Sequence, residues 1–124
     1  MKVKEYREQN RESVYYRIVR MLNAASTRAR NKNIIFDLDL EFLLNLWESQ
    51  NGACAVSGRT FDLTRSNKRV NKNAPSLDRI DCNKGYQKEN VRLVTWQVNC
   101  AISEYGFEEF LEICQDVLNF NKGL

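Results

Sequence analysis

Between residues 75 and 99 the chain sets three oxygen-bearing side chains, Asp78, Asn90 and Asn99, within about 25 residues of strand, loop, strand and helix. After Pro75, Ser76-Leu77-Asp78-Arg79-Ile80 reads as a short strand. Asp81 to Asn90 reads as a loop containing Gly85-Tyr86, and Val91-Arg92-Leu93-Val94 as a second strand. Thr95 can cap a helix over 96–103. A hairpin with a helix packed across it brings the end of the first strand near the helix face, so Asp78 and Asn99 can converge on one hard cation. Carboxylate and amide oxygens suit Mg²⁺, which keeps several waters. Two protein oxygens leave room on the ion for phosphate and water, the arrangement that phosphodiester hydrolysis uses.

The elements that must position these residues follow from periodicity. Tyr6, Val14, Tyr15, Ile18, Leu22 and Ala25 recur at three- and four-residue steps and predict a basic helix over 4–31, closed by Asn31-Lys32-Asn33. Ile34-Ile35-Phe36 looks briefly extended. A second helix is expected at about 40–50, with Asp39 as its cap and Leu40, Leu43, Leu44 and Trp47 as its apolar stripe, stopped by Asn51-Gly52. Ala53 to Val56 reads as a short strand turning at Ser57-Gly58, and the polar stretch 64–75 as a surface loop. Glu104-Tyr105-Gly106 breaks the chain before an amphipathic helix carrying Phe107, Phe110, Leu111, Cys114, Val117 and Leu118. The expectation is one domain over 1–124: a basic N-terminal helix (1–33), a helix and short turn (34–63), a strand–strand–helix unit (75–103) and a C-terminal helix (107–120).

Composition limits the chemistry. The chain has 124 residues, four cysteines and no histidine, which removes imidazole as base, nucleophile partner and metal ligand. Its net charge of +3 divides into blocks of +6 (1–33), −4 (34–63), +5 (64–93) and −4 (94–124). If the two basic blocks meet, they make a polyanion-binding face; otherwise they are ordinary solvated surface. Cys54, Cys82, Cys100 and Cys114 form no C-x-x-C pair and read as free thiols or small apolar residues in a reducing compartment. No secretory leader opens the sequence, and no apolar run approaches the ~18 residues that span a bilayer.

Pro75-Ser76-Leu77-Asp78-Arg79-Ile80-Asp81, Lys84-Gly85-Tyr86, Asn90-Val91-Arg92-Leu93-Val94, Trp96 and Asn99 together resemble the HNH endonucleases of the His-Me finger, or ββα-metal, superfamily. The nearest likeness is to small phage and bacterial members that read Asp-Arg where most read Asp-His. It extends weakly over 29–63, where Cys54-Ala-Val-Ser-Gly58 resembles a cysteine-containing turn of such proteins. The resemblance implies an α+β fold, mostly helical around a ββα-metal finger. It implies Asp78 and Asn99 as ligands of one Mg²⁺ or Mn²⁺, and Asn90 as the residue that ties the loop. Asp78, Arg79 and Asn90 then form the catalytic set, with Arg79 where the usual histidine activates water.

Three departures qualify the likeness. Arg79 has a pKa above about 12 and cannot be a base, but it can bind the scissile phosphate. Metal-bound water, bulk water, Tyr86 or Asp81 remain for the proton; packing the loop is the plainer role for Tyr86. Zinc-containing relatives carry two C-x-x-C pairs; here Cys54 stands with Ser57, and Thr95 with Val98, so no structural zinc is expected. Ile102 stands where relatives commonly have a lysine.

Lys68, Arg69, Lys72, Arg79 and Lys84 are the expected DNA contacts, the alternative for the first three being solubilising charge, and basic residues of 1–33 and 64–72 are expected to track the DNA backbone. Gly85 is expected to serve backbone conformation, and Trp47 and Trp96 to lie in the core, the alternative for the two tryptophans being base-stacking platforms. Arg79 can instead pair with Asp81 at the surface. The function implied is a metal-dependent DNA endonuclease in the cytoplasm of a bacterial or phage-infected cell, its partners DNA and a second copy of itself, with no membrane. The alternative is a catalytically silent HNH-like module that binds DNA or protein.

Overall fold

A computed structural model describes residues 14–64 and 71–123. Among these the chain is a small α+β domain of four helices and a two-stranded antiparallel sheet. The first helix, α1, is Val14–Lys32. It buries Val14, Ile18, Ala25 and Ala29, a single stripe at helical spacing. Asn33 ends it with a left-handed backbone (φ 55°). The Asn33 amide bonds the Arg30 carbonyl and the Ile34 amide bonds the Ala29 carbonyl, satisfying carbonyls the helix leaves open. The part of the expected helix before Val14, with Tyr6, lies outside the described residues.

Helix α2, Leu40–Ser49, is capped by Asp39, whose carboxylate accepts the Phe42 amide at 2.8 Å. It ends by the same device as α1. Asn51 is left-handed, its amide on the Glu48 carbonyl, and the Gly52 amide reaches the Trp47 carbonyl. Leu43, Leu44 and Trp47 face the core, and Trp47 stacks on Phe61 with ring centroids 5.2 Å apart.

Strands β1 (Pro75–Arg79) and β2 (Val91–Thr95) pair from Pro75 opposite Thr95 to Arg79 opposite Val91, which sets Asp78 across from Arg92. The free edge of β2 is closed without a third strand. Gln50 donates to the Leu93 carbonyl at 2.9 Å and accepts the Leu93 amide at 3.0 Å, while the Ala55 amide also donates to the Leu93 carbonyl. Thr95 then caps helix α3, Trp96–Ile102, through its hydroxyl and the Val98 amide. Helix α4, Phe107–Phe120, leans on α3 and buries none of its residues.

Three local expectations change. Residues 53–56 form no strand, only a bridge between Ala53 and Thr60, because Ala55 gives its amide to β2. Gly85 does not have positive φ. It is small because a Cβ there would run into the Ile35 carbonyl, where segment 34–37 lies against Tyr86. Trp47 is buried, but Trp96, at the first turn of α3, is 41% exposed.

Candidate functional site

The loop between the strands is built around Asn90. Its side chain accepts the Asp81 amide (2.9 Å) and donates to the carbonyls of Asp81 (3.1 Å) and Gly85 (2.8 Å). Its own carbonyl accepts the Ile80 amide. One buried side chain thus pins both ends of the 81–85 turn and holds Arg79 and Tyr86 in place on either side of it.

A cavity of about 530 Å³ opens between α1, β1, this loop and α3. Asp78, Arg79 and Asn99 all line it, with Ser76 and Tyr86. Asn99 donates to the Ser76 hydroxyl at 2.7 Å, a bond that does not use its amide oxygen, the atom able to coordinate a cation. Asp78 is 8% exposed, and one of its oxygens accepts from Arg92 Nε at 2.9 Å. Burial pushes the Asp78 carboxyl above the usual aspartate range, and the Arg92 hydrogen bond and charge, with the Arg79 charge, offset this only in part. Arg92 in turn lies over the Phe107 ring at 5.0 Å, so α4 helps hold the cation that holds Asp78.

Arg79 makes no pair with Asp81. One guanidinium nitrogen donates to the carbonyls of Cys82 (3.1 Å) and Lys84 (3.0 Å), and the group lies over the Tyr86 ring at 5.3 Å. Arg79 also lines the cavity. Asp81 spends an oxygen on the Asn83 amide in its own turn and does not line the cavity. Lys72 and Lys84 are exposed outside the lining, and Lys68 and Arg69 lie outside the described residues.

As a cation site, the cavity offers hard oxygen donors: the Asp78 carboxylate and the Asn99 amide oxygen. Among the described residues no group of three or more acidic or cysteine side chains is gathered around one point. Two oxygens fit a magnesium-type ion that keeps most of its coordination for water and phosphate. Arg92 competes for the same carboxylate.

Two residues of the basic N-terminal block, given no individual role by the sequence, line this cavity as well. Arg28, 58 positions from Tyr86 in the chain, donates Nε to the tyrosine hydroxyl at 2.9 Å. Lys32 follows one turn later on α1, and both line the cavity. Trp96, with its exposed ring, lines it as well. At the far end of β2, the Cys54 sulfur accepts the amides of Ser57 and Thr95, each at 3.4 Å. Burial pushes this thiol up, but hydrogen bonds from the Ser57 side chain and from the Ser57, Thr95 and Val56 amides outweigh it and leave it below its ordinary value. The turns 54–57 and 95–98 therefore meet at one sulfur. All four cysteines are free; Cys54 is buried, and Cys82 and Cys100 are exposed.

No family model matches the chain, and no solved structure matches it. A protein of Enterobacteria phage T4, described as an uncharacterized 29.0 kDa protein in the dda-modA intergenic region, is 33% identical over 96 residues. The match takes in 77% of this chain and 36% of that protein, so the chain spans about a third of the length of the relative it matches. Among the described residues, no helix is long and apolar enough to cross a membrane.

Proposed function

We propose that the chain is a metal-dependent endonuclease of the HNH type that hydrolyses DNA phosphodiester bonds. The observation that carries this reading is the shared cavity: Asp78, Arg79 and Asn99 line it together, and Asn90 knots the loop that holds Arg79. Asp78 and Asn99 hold Mg²⁺ or Mn²⁺, one ion per site, which when bound supplies Lewis-acid polarisation of the phosphate. Arg79 places its free donors on the non-bridging oxygens and neutralises charge as water adds to phosphorus and the bond to the 3′-oxygen breaks. Asn90 keeps Arg79 and Tyr86 in register. Arg79 cannot take the water's proton, Asp81 lies outside the lining and the Tyr86 hydroxyl already accepts from Arg28, so the proton passes to solvent. The phage relative supports a setting in the cytoplasm of a phage-infected cell. A cavity of this kind cuts one strand, so a double-strand break requires two copies or two nicks.

Supercoiled plasmid incubated with Mg²⁺ or Mn²⁺ is expected to be nicked, and EDTA to stop the reaction. Asp78→Ala should lose at least ~100-fold in rate. Equal cleavage by wild type and Asp78→Ala would remove the proposed site.

The second reading, a module that binds DNA without cutting it, draws on Arg92. That side chain already neutralises Asp78, and the buried Ile102 stands where HNH proteins commonly have a lysine. This reading expects retention of DNA in EDTA and no cleavage with any divalent ion.

A further inference from the structure

The cavity holds more positive charge than the proposed reaction uses. Arg28, Lys32 and Arg79 line it, and the sole carboxylate among the lining residues, Asp78, is neutralised from behind by Arg92. Among the described residues neither Arg28 nor Lys32 has a carboxylate partner. The two stand four positions apart on one helix face, one turn from each other. That face is held rigidly, because Ile18, Ala25 and Ala29 of the same helix are buried in the core. Arg28 is also oriented. Its Nε is spent on the hydroxyl of Tyr86, a side chain 5% exposed, and its guanidinium carbon lies 5.7 Å from the centre of that ring. With that edge occupied, the two terminal nitrogens of Arg28 remain as a fork of donors, the geometry that grips a phosphate.

We propose that Arg28 and Lys32, with Tyr86 as the positioning residue for Arg28, form a second phosphate subsite in this cavity. It takes a DNA backbone phosphate beside the one held at Asp78, Arg79 and Asn99. The inference rests on the nuclease reading for the identity of its ligand as DNA, but not on cleavage. It makes α1 part of the substrate grip and sets the path of the strand from the ββα unit toward the end of that helix.

The test is anisotropy of a fluorescein-labelled duplex with the full chain in EDTA, across about 50–200 mM salt. Arg28→Met and Lys32→Met are each expected to weaken binding about tenfold. Each should also lower the slope of log affinity against log salt by about 1. Arg28→Lys, which keeps the charge but loses the fork, should retain the wild-type slope with weaker binding. Tyr86→Phe should weaken binding with the slope unchanged, and should have no further effect when Arg28 is already Met. Arg59→Met, outside the cavity, should leave affinity and slope as in wild type. Urea midpoints confirm that each variant is folded.

Wild-type slopes in both methionine variants, or no binding by the wild type in EDTA, would overturn the subsite. Binding that responds as expected in a protein that never cuts plasmid would overturn the nuclease reading and leave the subsite standing. Cleavage and binding both untouched by the two methionine variants would do the reverse.

Discussion

Asp78 bears two opposed demands. Under the proposed function it must be ionised to hold a cation, yet burial raises its carboxyl above the ordinary range in spite of Arg92 and Arg79. A raised folded-state value means that proton uptake favours the fold. The stability this contributes is fully present below the unfolded aspartate value of about 3.9 and is lost as pH rises through the higher folded value. Asp78→Asn does not titrate. In the absence of divalent ions, the stability of Asp78→Asn minus that of wild type should rise with pH through the acid range just above the unfolded value and then level off. Urea midpoints at a series of pH values measure this. A difference that falls over that range would mean that the Arg92 pair outweighs burial.

The elements around the cavity are held by single side chains that take the place of missing backbone partners. Asn90 does this for the 81–85 turn with three hydrogen bonds. In Asn90→Asp an oxygen replaces the nitrogen that faces the Asp81 and Gly85 carbonyls. The expected cost is about 2–3 kcal/mol in urea unfolding, with faster hydrogen exchange at the Ile80 and Asp81 amides. A loss under ~0.5 kcal/mol would mean that the turn stands without this knot.

The second junction is at Cys54, where two turns present amides to one sulfur. Ser57→Cys, Thr95→Cys and Val98→Cys together should place four thiols around one point and bind one zinc tetrahedrally. Zinc should then raise the melting temperature of the triple variant and leave wild type unmoved. Thiols that stay fully reactive in the presence of zinc would show that 57, 95 and 98 do not converge on Cys54.

At the scale of the molecule, cohesion is uneven. The buried cluster runs from Ile18 and Ala25 through Leu43, Leu44 and Trp47 to Leu93 and Val94. Helix α4 stands outside it. None of its residues is buried, and Leu118 and Phe120 are 67% and 90% exposed. Its ties include its packing on α3 and the Phe107 ring beneath Arg92. In native-state hydrogen exchange the amides of α4 beyond Phe110 should open at far lower free energy than those of β1 and β2. Equal protection in the two would mean that something covers the outer face of α4 in solution. Because Phe107 supports Arg92, and Arg92 holds Asp78, loosening α4 also reaches the cavity.

Local chemistry written in adjacent residues was legible in the sequence. Asp39 and Thr95 cap their helices, Asn33 and Asn51-Gly52 end theirs, and the strands expected at 76–80 and 91–94 pair as 75–79 and 91–95, since each feature depends on groups three to five positions apart or on a short alternating run. Asp78 and Asn99, expected from the strand–loop–strand–helix order to lie near one another, both line one cavity. What the tertiary structure decided is every contact that crosses elements. The strand register sets Arg92 on Asp78, Gln50 closes the edge of β2, and the approach of Ile35 demands glycine at 85. It also turns Trp96 outward and swings Arg28 and Lys32 in from a helix more than 40 residues upstream of Asp78 in the chain. These depend on how whole helices dock on the hairpin. Docking is set by the shape of the summed apolar surface, which no local spacing encodes.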